Sequence, residues 1–163
     1  MKRSEIIQEK ISSRPELLKK IERLKLLSKT VVFTNGCFDI LHRGHIFSLS
    51  EAAKEADFLI VAINSDASTK KLKGENRPVN DENSRALLVA SLLMVDAVIL
   101  FNEDTPLELI NAVMPDVLVK GGDYTIDQIA GAKEVIANGG RVVINPIVKG
   151  FSTTAIIDKI NKL

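Results

Sequence analysis

His42 and His45 are the only histidines in the 163-residue chain, and they stand three residues apart in the run Asn35-Gly36-Cys37-Phe38-Asp39-Ile40-Leu41-His42-Arg43-Gly44-His45. If a helix begins near Leu41, both rings project from one face of its first turn. Free amides and the helix dipole point the same way, which makes an anion site. Two imidazole N–H donors beside those amides would hold a triphosphate and stabilise the charge that develops as pyrophosphate leaves. Gly44 between them would let phosphate oxygens approach the backbone without meeting a Cβ, and Gly36 permits a tight turn. Two other readings stay open. The histidines could be buried packing residues. They could also be metal ligands, but zinc needs a third and usually a fourth ligand, and Cys37 and Asp39 match no familiar zinc spacing. Cys37 reads as a small packing residue, because no dedicated base is paired with it.

Three further segments could act on the same ligand. Lys70, Lys71, Lys73 and Arg77 lie within eight residues of an otherwise charge-balanced chain. Such a run is either a solvated face or a phosphate-binding loop, and Arg85 would add a phosphate partner if it faces a cleft. In Lys120-Gly121-Gly122-Asp123-Tyr124 the paired glycines fit a tight turn or backbone pressed against a base or ribose. Ser152-Thr153-Thr154 supplies an N-cap and three hydroxyls at a helix start, a cradle for phosphate. Neither a P-loop nor Gly-x-Gly-x-x-Gly after the first strand occurs.

Elements that would position these residues follow from periodicity. Short apolar runs rich in β-branched residues at Val31–Thr34, Phe58–Asn64, Ala97–Phe101, Val117–Lys120 and Arg141–Ile144 read as strands covered on both faces. Helical patterns lie between them. Ile46, Leu49, Ala52 and Ala53 share a face. Asn80 caps a run to Met94, Thr105-Pro106-Leu107-Glu108 starts a helix with proline at its first position, and Asn138-Gly139-Gly140 stops one. The first thirty residues read as helical, with a Ser13/Glu16 capping box and a stripe of Leu17, Leu18, Ile21, Leu24 and Leu27. The expected architecture is α/β: a Rossmann-like, doubly wound, five-stranded parallel sheet over 31–163, behind a helical N-terminal extension over 1–30. In such sheets the ligand lies beyond the carboxyl ends of the strands, where their order reverses.

Bulk properties agree with a single folded unit. Apolar residues make up 45% and charged residues 26%, and the formal charge is +1. That balance gives no reason to expect nucleic acid, so any anion must be held by a local cluster of donors. One cysteine excludes an internal disulfide framework and fits a reducing compartment. There is no signal-peptide pattern and no apolar stretch near membrane-spanning length, so the expectation is a cytoplasmic protein without a membrane partner.

His42-Arg43-Gly44-His45 after the first strand, with Ser152-Thr153-Thr154 opening the last helix, resembles the cytidylyltransferase-like nucleotidyltransferases marked by His-x-Gly-His. A closer likeness runs from Val31 to Ile160. Asn35-Gly36-Cys37-Phe38-Asp39-Ile40-Leu41-His42, Asn64-Ser65-Asp66-Ala67-Ser68, Leu72-Lys73-Gly74, Arg77-Pro78-Val79-Asn80, Glu103-Asp104-Thr105-Pro106 and Val119-Lys120-Gly121-Gly122-Asp123-Tyr124 resemble the adenylyltransferase domain of ADP-heptose synthases. The resemblance implies transfer of AMP from ATP to D-glycero-β-D-manno-heptose 1-phosphate, giving ADP-heptose and pyrophosphate for lipopolysaccharide core synthesis. That domain is often fused to a sugar kinase; without one here, a stand-alone form served by a separate kinase is expected. Carried over, His42, His45 and Lys73 are the catalytic set. Cys37, Phe38, Asp39, Gly44, Gly121, Asp123, Ser152, Thr153 and Thr154 bind the nucleotide with the two histidines, and Lys70, Arg77 and Arg85 face the substrate phosphate. Mg²⁺ would accompany ATP without a protein-built metal site, and the family tendency leaves room for a homodimer. Related enzymes carry an arginine just before or just after the Ser-Thr-Thr segment. Here those places hold Ile147 and Ile157, so another cation must serve. The alternatives are a cytidylyltransferase acting on glycerol 3-phosphate or a similar phosphate monoester, a nucleotide-binding regulatory domain without turnover, and a metal-binding structural protein.

Overall fold

A computed structural model describes residues 5–163. Five strands, β1 (Val31–Gly36), β2 (Phe58–Asn64), β3 (Ala97–Phe101), β4 (Val117–Gly121) and β5 (Arg141–Asn145), form one sheet in the order β3-β2-β1-β4-β5. Every pairing is parallel. The chain winds outward from β1 to β3, then returns to lay β4 on the other side of β1. The reversal therefore falls between β1 and β4, the place where an open parallel sheet leaves a crevice.

The strands are apolar on both sides because both sides are covered. On one face Val31, Phe33, Ile60, Ala62, Ile99 and Leu118 pack with Leu17 and Ile21 of α2 (Arg14–Leu26). The same face takes Leu109, Ile110 and Val113 of α6 (Leu107–Val113) and Ala132 and Val135 of α7 (Ala132–Ala137). On the other, Val32, Leu59, Val61, Ile63, Val98 and Val119 meet Leu49 and Ala52 of α3 (Arg43–Ala53), and Ala86, Val89 and Ala90 of α5 (Glu82–Ala90). The short α4 (Asp66–Lys73) follows β2, and α8 (Thr153–Ile160) closes the chain without burying any residue.

All five expected strands form, each within two residues of its expected end. Several helix boundaries differ. The segment before β1 is not continuous helix: α1 (Glu5–Glu9) stops, Ile11 bridges to Val98 at the edge of β3, and α2 starts afresh. Its capping box is as expected, with the Ser13 amide and hydroxyl both donating to Glu16. Leu17 is fully buried while Leu27 is 71% exposed, so the apolar stripe ends before Leu27. Burial of Leu17 and Ile21 would contribute about 1.5–3 kcal/mol each, which makes α2 part of the core. The cap of α5 is Asp81, whose carboxylate accepts from the Asn83 and Ser84 amides, and not Asn80. Asn80 is occupied in the neighbouring loop, and α5 ends at Ala90 instead of reaching Met94. Pro106 occupies the N-cap of α6 with no side-chain cap, one position earlier than expected.

Candidate active site

The carboxyl ends of β1 and β4 open into a cleft of about 590 Å³. Its walls come from the loop after β1, the start of α3, the end of α4, the loop after β4 and the start of α8.

The loop after β1 is built around Phe38. Its backbone is left-handed (φ 48°), and its ring lies where a Cβ on Gly36 would come within 3.1 Å. A side chain at position 36 would press on that ring, so this glycine serves close packing. The Phe38 ring in turn stands 5.3 Å from the His45 ring, tilted by 57°.

His42 is the N-cap of α3, not a residue of its first turn, and its Nδ1 accepts from the Gly44 amide at 3.1 Å. That bond places the neutral ring's proton on Nε2. The two imidazoles stack with centroids 3.8 Å apart and planes 20° from parallel. Burial lowers the pKa of His42. The His45 pKa falls to about 4, first because its ring is desolvated and then because His42 would repel a second charge; the Ile40 carbonyl opposes this only weakly. His45 Nδ1 is buried without a hydrogen bond of good geometry. An orphaned polar atom costs about 1–3 kcal/mol. Anion binding would favour the charged form of either ring. Gly44 has a reason the sequence did not suggest: a Cβ there would lie 3.0 Å from the His42 ring, so the glycine also makes room for that side chain.

The start of α8 meets this corner directly. Ser152 caps it, accepting from the Ala155 amide at 3.1 Å, and Thr153 Oγ1 donates to the Ile40 carbonyl at 3.4 Å. Arg43 lies over the Phe151 ring, 5.7 Å from its centroid. His42, Gly44, His45, Ser152, Thr153 and Thr154 all line the one cleft.

The cations divide sharply. Lys73 and Arg77 line the cleft. Arg77 is committed to Asp39 at 2.6 Å, and the same buried carboxylate accepts from the Val79 and Asn80 amides. Asp39 therefore fastens the 77–80 loop to the loop after β1, with its charge already compensated. Arg85 is a correction. It has no solvent exposure and donates to the Asn80 carbonyl, the Cys37 carbonyl and the Asp66 carboxylate, so it braces the loop from behind and has no face to offer a phosphate. Lys70 is exposed on α4 outside the cleft lining, and Asp123 also falls outside it, whereas Gly121, Gly122 and Tyr124 line it. Gly122 is left-handed (φ 128°), and a Cβ there would sit 3.0 Å from the Tyr124 ring. Cys37 is half-buried in the wall, with Sγ 3.9 Å from Asn64 Oδ1.

Sequence reasoning gave Lys120 no role, yet it lines the cleft beside Asn35. The signal was available: a lysine next to last in a buried central strand is out of place unless its end faces a ligand. Ser48 on α3 was also passed over; its hydroxyl lies 3.1 Å from where a Gly121 Cβ would be.

A doubly wound sheet with an imidazole pair and a hydroxyl-rich helix start at its reversal point defines a nucleotidyltransferase domain. Residues 33–159 match the model of the Cytidylyltransferase-like family, and the chain belongs to that family. It is 52% identical over 154 residues to the bifunctional protein HldE of Koribacter versatilis (strain Ellin345), covering 94% of this chain and 32% of that protein. It is 56% identical over 131 residues to the bifunctional protein HldE of Mesorhizobium japonicum, covering 80% of this chain and 26% of that protein. The chain thus spans about a third or less of these relatives. Among solved structures, a lipopolysaccharide core biosynthesis protein from Thermoplasma volcanium superposes with a TM-score of 0.60 at 35% identity, covering 76% of this chain and 99% of that one. Pantothenate synthetase from Thermus thermophilus shares the fold, with a TM-score of 0.59 at 19% identity over 85% of this chain and 62% of that one.

Proposed function

We propose that this domain transfers AMP from ATP to D-glycero-β-D-manno-heptose 1-phosphate, forming ADP-heptose and pyrophosphate. The observation that carries the reading is the contact between the two phosphate-binding segments: Thr153 bonds to Ile40 in the loop that delivers His42 and His45, and all three line one cleft. The choice of adenine and of a heptose phosphate follows the resemblance and the HldE relatives. In this proposal residues 31–163 form the transferase unit, with α2 as part of its core, acting in the cytoplasm and with room for a homodimer.

The reaction is an in-line displacement. An oxygen of the sugar phosphate forms a bond to the α-phosphorus of ATP while the bond from that phosphorus to the α–β bridging oxygen breaks, and the electron pair leaves on pyrophosphate. A phosphate monoester is already anionic near neutral pH, so positioning and charge stabilisation replace a strong general base. His42 Nε2–H and His45 would donate to the triphosphate, the Ser152-Thr153-Thr154 start of α8 would cradle it, and Lys73 would add charge. Asp39 and Arg77 would hold the wall rather than the ligand. Among the described residues no group of three His, Cys, Asp or Glu side chains is placed to hold a metal. Mg²⁺, whose preferred ligands are phosphate oxygens and waters, would enter with the nucleotide and neutralise part of its charge.

A panel of ATP and CTP against heptose 1-phosphate and glycerol 3-phosphate, read as pyrophosphate release, tests this. Turnover is expected for ATP with heptose 1-phosphate. Preference for CTP with glycerol 3-phosphate would replace the substrate assignment, and tight ATP binding with no release on any pair would replace the enzymatic one.

A further inference from the structure

We infer that Lys120 is a phosphate-binding residue of this cleft, its ammonium gripping an oxygen of one of the two reacting phosphate groups. The inference rests on the nucleotidyl-transfer reading but adds a residue to it. Lys120 stands next to last in β4, the strand laid against β1 at the point where sheet order reverses. Its side chain lines the cleft. Its Nζ donates to Asn35 Oδ1 at 3.3 Å and lies 5.6 Å from the centre of the Tyr124 ring.

Neither neighbour carries a charge, and among the described residues no carboxylate lies within ion-pairing distance of Lys120. Three other cations of this region are paired: Arg77 with Asp39, Arg85 with Asp66 and Lys71 with Asp104. Lys73 also lines the cleft with no ion pair among the described residues and repels Lys120, while Cys37 in the same wall acts in the opposite direction. A desolvated ammonium facing a second cation is destabilising on its own. A folded chain that keeps one on a strand ending at its ligand crevice has a polyanion to place there. A charge-assisted bond to a phosphate oxygen supplies the missing partner and relieves the repulsion between the lysines.

The phosphate could be that of the nucleotide or that of the acceptor, and two variants separate these. Lys120→Met keeps the length of the side chain and removes its charge, so its melting temperature should equal or exceed that of the wild type. Calorimetric titration with ATP and with inorganic tripolyphosphate, together with kcat and the KM of each substrate, then locates the grip. At least tenfold weaker ATP and tripolyphosphate binding assigns it to the nucleotide. Unchanged ATP binding with an acceptor KM raised at least tenfold assigns it to the acceptor. Lys120→Arg should recover part of whichever is lost, which a packing role would not produce. A folded Lys120→Met protein whose binding of both anions, kcat and both KM values stay within threefold of wild type overturns the inference. If the wild type turns over no acceptor, the transfer reading fails by itself, and unaltered tripolyphosphate and ATP affinities would still overturn the Lys120 assignment. If Lys120→Met does not fold, Lys120→Gln is read by the same criteria.

Discussion

Two helix starts face each other across the cleft, and they are built on opposite plans. The start of α3 is anchored: Leu49 and Ala52, farther along the same helix, are buried. The two imidazoles are stacked, His42 Nδ1 is tied to Gly44, and Phe38 backs His45. The start of α8 has little behind it. No residue of α8 is buried, Ser152 is exposed, and its links to the other wall are one long hydrogen bond from Thr153 and the Arg43–Phe151 contact. One side of the site is thus preorganised, as charge stabilisation in a transition state requires. The other is held by few contacts, as segments that open at low energetic cost are.

If that contrast is right, damage to the α3 side should appear as lost rate. His45→Ala should lower kcat by on the order of 10²–10³, as removal of an oxyanion-type donor does, with ATP affinity falling much less. Full turnover in that variant would remove His45 from the chemistry. Gly44→Ala comes next. The added methyl meets the His42 ring at 3.0 Å, so that ring must give by a few tenths of an ångström, which strains its bond to the Gly44 amide. A loss of roughly tenfold in kcat/KM is expected, in line with about 1.4 kcal/mol for a displaced donor. A fall in melting temperature with unchanged kinetics would show that the glycine serves folding alone.

The sheet and the meeting of the two starts were legible because their signals are local. A buried parallel strand is a short β-branched run, and a helix start carries its cap and donors within four residues. Side-chain commitments were not legible. Arg77, Arg85 and Lys120 look alike in a sequence, yet one is paired to Asp39, one is walled in by carbonyls and Asp66, and one donates to the neutral Asn35 side chain. Those fates depend on contacts between residues 38 or more positions apart for Arg77 and 85 apart for Lys120. The same holds for Gly36 and Gly44, where a Cβ would crowd the rings of Phe38 and His42. The break at Ile11 was invisible for a similar reason, since only the exposed edge of β3 makes a bridge there worthwhile.

The histidine side of the contrast also carries a pH signature. His45 has a folded-state pKa of about 4 against 6.5 for a free imidazole. Protons therefore bind the unfolded chain first, and the His45 contribution to stability should fall as pH drops from about 6.5 toward 4. His45→Gln removes this titration. Denaturant unfolding at pH 7 and pH 5 should show a smaller loss for the variant than for the wild type, and equal losses would place the sensitivity elsewhere.

The smallest effect is expected on the α8 side. Ser152→Ala deletes the cap that accepts from the Ala155 amide, a change worth about 1 kcal/mol to a helix. Because α8 buries nothing, that loss should not reach the core. The melting temperature should stay nearly constant while amide exchange in residues 153–160 accelerates and the KM for ATP rises a few-fold with little change in kcat. The α3 variants should show the reverse pattern, with kcat falling and amide exchange in 153–160 unchanged. If Ser152→Ala instead lowered kcat as His45→Ala does, the start of α8 would belong to the preorganised half of the site, and the division between a fixed wall and a loosely held one would be wrong.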